Sequence, residues 1–143
     1  EIISSLGASG EGRIILHEGN GRYIRSITLP GQNLDALTTS TVDIDNDGQE
    51  EIIIAAGKGH TPQVWVYTYL GEYLQTFFPF PLSFQGGIEI AAGDIDQNGT
   101  AEIYVVPQSG GGPQVRIFGE EGNVIGGFFA FDKDNRFGTT IAF

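Results

Sequence analysis

Shifted by 51 residues, the stretch 42–80 of this chain lies over 93–131 in a single register. Identical pairs run through the overlay: Asp43/Asp94, Ile44/Ile95, Asp45/Asp96, Gly48/Gly99, Glu51/Glu102 and Ile52/Ile103. Further along come Pro62/Pro113, Gln63/Gln114, Val64/Val115, Gly71/Gly122, Phe77/Phe128, Phe78/Phe129 and Phe80/Phe131. Self-similarity of this size means one supersecondary unit stacked on the next, each burying its apolar face on its neighbour. A partial third copy opens the chain at a shift of 50, with Glu1-Ile2-Ile3 on Glu51-Ile52-Ile53, Gly7 on Gly57, Gly21 on Gly71 and Tyr23 on Tyr73. At the far end, Phe137–Ala142 resembles Phe84–Glu89, the lead-in to the second acidic loop.

Each unit reads as short strands. Glu51–Ala56 and Gln63–Tyr67 are β-branched or aromatic and bounded by Gly or Pro, and no helix-period pattern exceeds two turns. In the second full unit the spacing predicts strands near 87–92, 101–106, 114–118 and 124–131. The fold class is therefore all-β, and four short strands per unit are the mark of a β-propeller blade. About three four-stranded blades are expected, over 1–35, 36–86 and 87–137, with 138–143 as the first strand of a further blade. The glycine turns 57–59 and 110–112 suit tight connections between middle strands. The pairs Phe77-Phe78 and Phe128-Phe129 are expected to wedge between neighbouring blades. Trp65, standing where other units have Ile15 and Arg116, reads as a partly exposed packing residue.

The 143 residues, 40% of them hydrophobic, suit one domain with a real core. No run approaches the roughly 18 apolar residues of a membrane helix, so no membrane insertion is expected. The start at Glu1, without Met, reads as a mature fragment or trimmed product. With 18 acids against 7 bases the formal charge is −11, which speaks against nucleic acid as a partner. The absence of Cys excludes a disulfide scaffold and thiolate zinc sites.

The acids cluster. Asp43-Ile44-Asp45-Asn46-Asp47-Gly48-Gln49-Glu50-Glu51 places carboxylates at positions 1, 3, 5 and 9 of a nine-residue turn, and Asp94–Glu102 repeats the arrangement with Asn98 at position 5. Like charges at this density repel, and a hard divalent cation with six to eight oxygen ligands resolves the repulsion. The glycine at position 6 lets the backbone turn so that the carbonyl at position 7, Gln49 or Thr100, also reaches the ion. Ile44 and Ile95 are expected to point into the core and anchor the loops. Position 12 is Ile54 or Val105 within a strand, so neither loop is an EF-hand. All-oxygen ligands disfavour zinc, and the crowded carboxylates favour calcium over magnesium. Solvated Asp-Gly turns would use similar residues; two copies in one register favour the ion. The second site, one negative charge poorer, is expected to be the weaker.

The pattern D-x-D-x-D-G-x-x-E between two strands resembles the FG-GAP repeat, also called the VCBS-type repeat, of integrin α-subunit propellers and bacterial surface proteins. Ala91–Asp96 and Gly111–Phe118 are similar to the bacterial version. The resemblance implies calcium ligands at Asp43, Asp45, Asp47, Gln49 and Glu51 and at Asp94, Asp96, Asn98, Thr100 and Glu102, on the rim of a propeller. It also implies an extracellular or cell-surface setting and a ring of six or seven blades. About three are present. Either a longer polypeptide carries the others, or a second copy of the chain completes the ring as a homo-oligomer.

Nothing else carries a comparable signal. His17 and His60 fall at different places in the repeat, which assigns them surface or packing roles. Gly7–Gly12 lacks the Lys and Ser/Thr of a phosphate loop and aligns with later glycine turns. Asn98-Gly99-Thr100 matches a glycosylation sequon but is better used as a metal-loop segment. Two functions remain: a non-enzymatic, calcium-stabilised module presenting loops to a protein or glycan ligand, and a propeller domain of a secreted carbohydrate-active hydrolase or lyase. The lack of clustered catalytic side chains outside the acidic loops favours the first.

Overall fold

A computed structural model describes residues 2–5, 11–31, 34 and 36–142. Among these, all regular structure is β. The eleven strands are β1 (Ile2–Ser5), β2 (Arg13–His17), β3 (Tyr23–Thr28), β4 (Thr38–Val42), β5 (Glu51–Ala55), β6 (Val64–Tyr67), β7 (Tyr73–Phe77), β8 (Ile88–Gly93), β9 (Glu102–Pro107), β10 (Gln114–Phe118) and β11 (Val124–Phe129). They form three antiparallel meanders, β1-β2-β3, β4-β5-β6-β7 and β8-β9-β10-β11. These are propeller-like blades.

Why β5 and β6 read as continuous apolar runs is clear from their place. The middle sheet is covered on both faces, so both sides of its strands must be apolar. Ile52 and Ile54 of β5, with Trp65 and Tyr67 of β6, face the first sheet and pack with Ile14, Leu16 and Ile27. Ile53, Ala55, Val64 and Val66 face the third sheet and pack with Ile88, Ile103, Val105 and Phe118. Side chains alternating at period two thus serve two separate cores.

The hairpin between the last two strands is built three times in the same way. Glu18, Thr68 and Gly119 donate their amides to the carbonyls of Arg22, Glu72 and Asn123. Gly21, Gly71 and Gly122 hold positive φ at the turn, and each pair carries a register shift at Leu16/His17, Val66/Tyr67 or Ile117/Phe118. Neighbouring sheets are tied by a repeated side-chain bond. Arg25 donates Nη1 to the Leu70 carbonyl at 2.6 Å, and Gln75, at the equivalent position, donates Nε2 to the Glu120 carbonyl.

Several expectations are corrected. Phe77 is wedged between sheets as expected, but Phe78, Phe128 and Phe129 are 47%, 54% and 55% exposed. The outer face of the third sheet has no neighbouring sheet among the described residues, so Phe128, the copy of buried Phe77, faces outward, while Phe129 turns to the other side, toward Phe84. Trp65 is 1% exposed rather than partly exposed, because it lies in the core between the first two sheets. Residues 138–142 form no strand. Thr139 donates its amide to Pro107 as Ile88 does to Ala56, which aligns Gly138 with Gly87 rather than Gln85. Residue 143 and most of the first glycine turn, 6–10, lie outside the described residues.

Candidate metal centres

The acidic segments are the connections from β4 to β5 and from β8 to β9, at one end of the sheets. Their backbones repeat closely. Asn46 and Gln97 hold φ of 60° and 59°, and Gly48 and Gly99 both hold 91°. Asn adopts the left-handed region with little penalty, and Gly with none.

The first aspartate of each loop organises the turn. Asp43 accepts amides from Asp47 at 3.0 Å on Oδ1 and from Gly48 at 2.9 Å on Oδ2. Asp94 accepts from Asn98 at 3.0 Å and Gly99 at 2.9 Å. Asp45 Oδ1 takes the Asp47 amide at 3.1 Å, and Asp96 Oδ1 takes the Asn98 amide at 3.2 Å. Asp47 Oδ1 and Asn98 Oδ1 accept the amides of Gln49 and Thr100, each at 2.8 Å. Such bonds fix where carboxylates point and leave lone pairs free for another partner.

Two groups of three carboxylates result. Asp43, Asp45 and Glu51 bring one oxygen each within 4.8 Å of one another, and so do Asp94, Asp96 and Glu102. Asp47, expected in the first set, stands outside that group and turns its oxygens to Gln49. The glutamates differ from the aspartates in burial. Glu51 is 3% exposed and Glu102 5%, each at the start of an inner strand of its sheet. Glu51 Oε2 accepts the Ile44 amide at 3.0 Å. Burial pushes the Glu51 carboxyl above the usual range, the Ile44 amide opposes this, and the charges of Asp45, Asp47 and Asp43 raise it further.

The two copies part at position 2. Ile44 is 4% exposed and packs into the core beside Val66, whereas Ile95 is 49% exposed. The expectation that both anchor their loops therefore fails for Ile95, which no neighbouring sheet covers among the described residues. At the second loop, Tyr104, not singled out in the sequence, sends its hydroxyl to Glu102 Oε2 at 3.4 Å. The Tyr104 hydroxyl is pushed up by burial first, then by the Glu102 charge. Its only sequence signal is its place two residues after the last acid, where the first copy has Ile53.

Three carboxylates within 4.8 Å repel by roughly 1 kcal/mol per pair in bulk water and several times that at a protein surface. The donor set is all oxygen and converges from a rigid turn onto one point. Both groups therefore fit a hard cation such as calcium or magnesium and not a thiophilic one.

Repeated four-stranded sheets with an acidic loop between the first two strands define a repeat-built, propeller-like module. Residues 43–105, spanning both acidic loops, match the sequence model of the FG-GAP-like repeat, so this stretch is similar to FG-GAP-type repeats. No curated protein matches the chain at a significant level.

Proposed function

We propose that the chain is a calcium-binding β-propeller module of a secreted or cell-surface protein, a non-enzymatic scaffold for adhesion or for ligand capture. The observation that carries this reading is the convergence of three carboxylates in each of two loops with the same backbone and the same amide bonds. Calcium would be held by Asp43, Asp45, Asp47, Glu51 and the Gln49 carbonyl, and by Asp94, Asp96, Asn98, Glu102 and the Thr100 carbonyl. The ion supplies the counter-charge that lets each buried glutamate stay ionised beside its aspartates. The protein's part is to bind and orient: amides at positions 5 and 6 aim the first aspartate, and the packed strand holds the glutamate.

Family context supports the location, and no helix among the described residues is long and apolar enough to cross a membrane. Affinities of roughly 10⁻⁴–10⁻³ M suit an extracellular setting rich in calcium. Further blades complete the ring, supplied by a longer polypeptide or by a second copy.

Thermal unfolding tests the reading. Calcium at a hundred times its dissociation constant stabilises by about 2.7 kcal/mol per site, so the melting temperature should rise with calcium and fall with EDTA. Asp45→Ala should lose much of that response, and an unchanged response in that variant would contradict the ligand assignment.

A further inference from the structure

The strand directions put the connections 78–87, 108–113 and 130–138 at the end of the sheets opposite the acidic loops. There, between the connection 78–87 and the third sheet with its loops, lies a cleft of about 620 Å³, within the range of small-ligand sites. Its walls are aromatic: Phe80 and Phe84, with ring centroids 5.5 Å apart, and Phe129, 55% exposed. Gly111 and Gly112 line it without side chains, and Lys133 and Arg136 stand at its edge.

Arg136 is held in place. The Arg136 carbonyl accepts the Gly110 amide at 3.2 Å, and Asn135 Oδ1 takes the Phe137 amide at 2.8 Å. The Arg136 guanidinium donates through Nη1 to the carbonyls of Lys133 at 2.6 Å and Asn135 at 2.8 Å. It pairs with no carboxylate among the described residues, while Lys133 Nζ lies 3.5 Å from Asp134. A fixed guanidinium with spare N–H groups is a fork for a carboxylate.

The repeat separates scaffold from site. One repeat earlier, Leu82 and Gln85 stand in place of Lys133 and Arg136, and His60 and Thr61 in place of Gly111 and Gly112. The blade does not need the cations or the bare floor, since the middle sheet forms without them. In a chain of charge −11 with only seven Lys and Arg, two of the seven meet at this aromatic cleft.

We propose that this cleft binds a carboxylate-bearing saccharide, a uronate residue. Arg136 and Lys133 would take the carboxylate, Phe129 and Phe84 the apolar face of the ring, and Asp134, Gln114 and Ser83 the hydroxyls. A neutral sugar leaves the Arg136 fork unused, and an apolar acid leaves Gln114 and Ser83 without hydroxyls to bind. The inference deepens the ligand-capture half of the scaffold reading and rests on it.

The test is a titration of galacturonic acid into the calcium-loaded chain, followed by amide NMR shifts. Galacturonate is expected to shift Gly111, Gly112 and Arg136, with galactose needing about tenfold higher concentration. Arg136→Gln should weaken binding about tenfold. Gly112→Leu should abolish it by filling the cleft, since a Cβ there meets nothing nearer than 3.4 Å. Equal responses to the two sugars, an unaltered affinity in Arg136→Gln, or no shifts at all would overturn the proposal. So would shifts confined to the loops 43–51 and 94–102, which would mean the carboxylate binds calcium instead. Calcium-dependent melting, measured on every variant, reports folding and the scaffold separately. Its loss with galacturonate binding intact would sink the calcium reading alone, and the reverse outcome the cleft alone.

Discussion

Phe77 and Phe118 meet between the second and third sheets with ring centroids 4.6 Å apart and planes inclined by 30°. Phe128 occupies the Phe77 position one repeat later and is 54% exposed. Identical residues at one repeat position therefore differ by whether a neighbouring sheet covers them. Phe77→Ala is expected to cost about 3–5 kcal/mol, the usual loss for a buried phenylalanine, and Phe128→Ala less than about 1 kcal/mol. Urea unfolding of both variants compares them. Equal losses would mean that Phe128 is buried in solution.

Ala36 holds φ of 51°, while Gly87 and Gly138 hold 81° and 93° at the same place in the repeat. A side chain in the left-handed region costs roughly 1–2 kcal/mol, and glycine returns part of that as unfolded-state entropy. Ala36→Gly should therefore stabilise by roughly 0.5–1 kcal/mol. Gly87→Ala should destabilise by more, because its Cβ would lie 2.4 Å from Gln108 Oε1 and 2.7 Å from the Lys58 nitrogen. Denaturant midpoints for the two variants should move in opposite directions.

Glu89 on β8 is half-buried, and burial raises its carboxyl above the usual value. A carboxyl with a raised folded-state pKa favours the fold while protonated. Its contribution is complete below the unfolded-state pKa and is lost as pH rises through the folded value. In EDTA, the stability of Glu89→Gln relative to the parent should therefore increase as pH rises from the ordinary carboxylate range to just above it. A difference independent of pH would show that Glu89 is hydrated as in the unfolded chain.

The acidic loops were legible in the sequence because every determinant is local: alternate acids, a glycine at position 6 and a second copy in register. Grouping of Asp43, Asp45 and Glu51 follows from that local geometry. Burial was less legible, because it depends on the next sheet. Ile44 and Ile95 are the same residue in the same motif, and among the described residues only the first has a sheet against it. Trp65 looked like a local choice because Ile15 and Arg116 replace it elsewhere, yet its own side of β6 faces a complete core. The cleft was hidden because Phe84 lies 45 residues before Phe129 in the sequence (129 − 84), and the two meet only when the connection 78–87 folds beside the third sheet and the segment 130–138. Its one sequence trace is the break in the repeat at Lys133 and Arg136.

Calcium titration by calorimetry tests the central claim most directly. The intact chain should bind two ions, the loop with Asp47 more tightly than the loop with Asn98. Asp45→Ala should remove the tighter site, Asp96→Ala the weaker, and the double variant both. Binding of no calcium by the intact chain at millimolar concentration, or two ions still bound by the folded double variant, would contradict it.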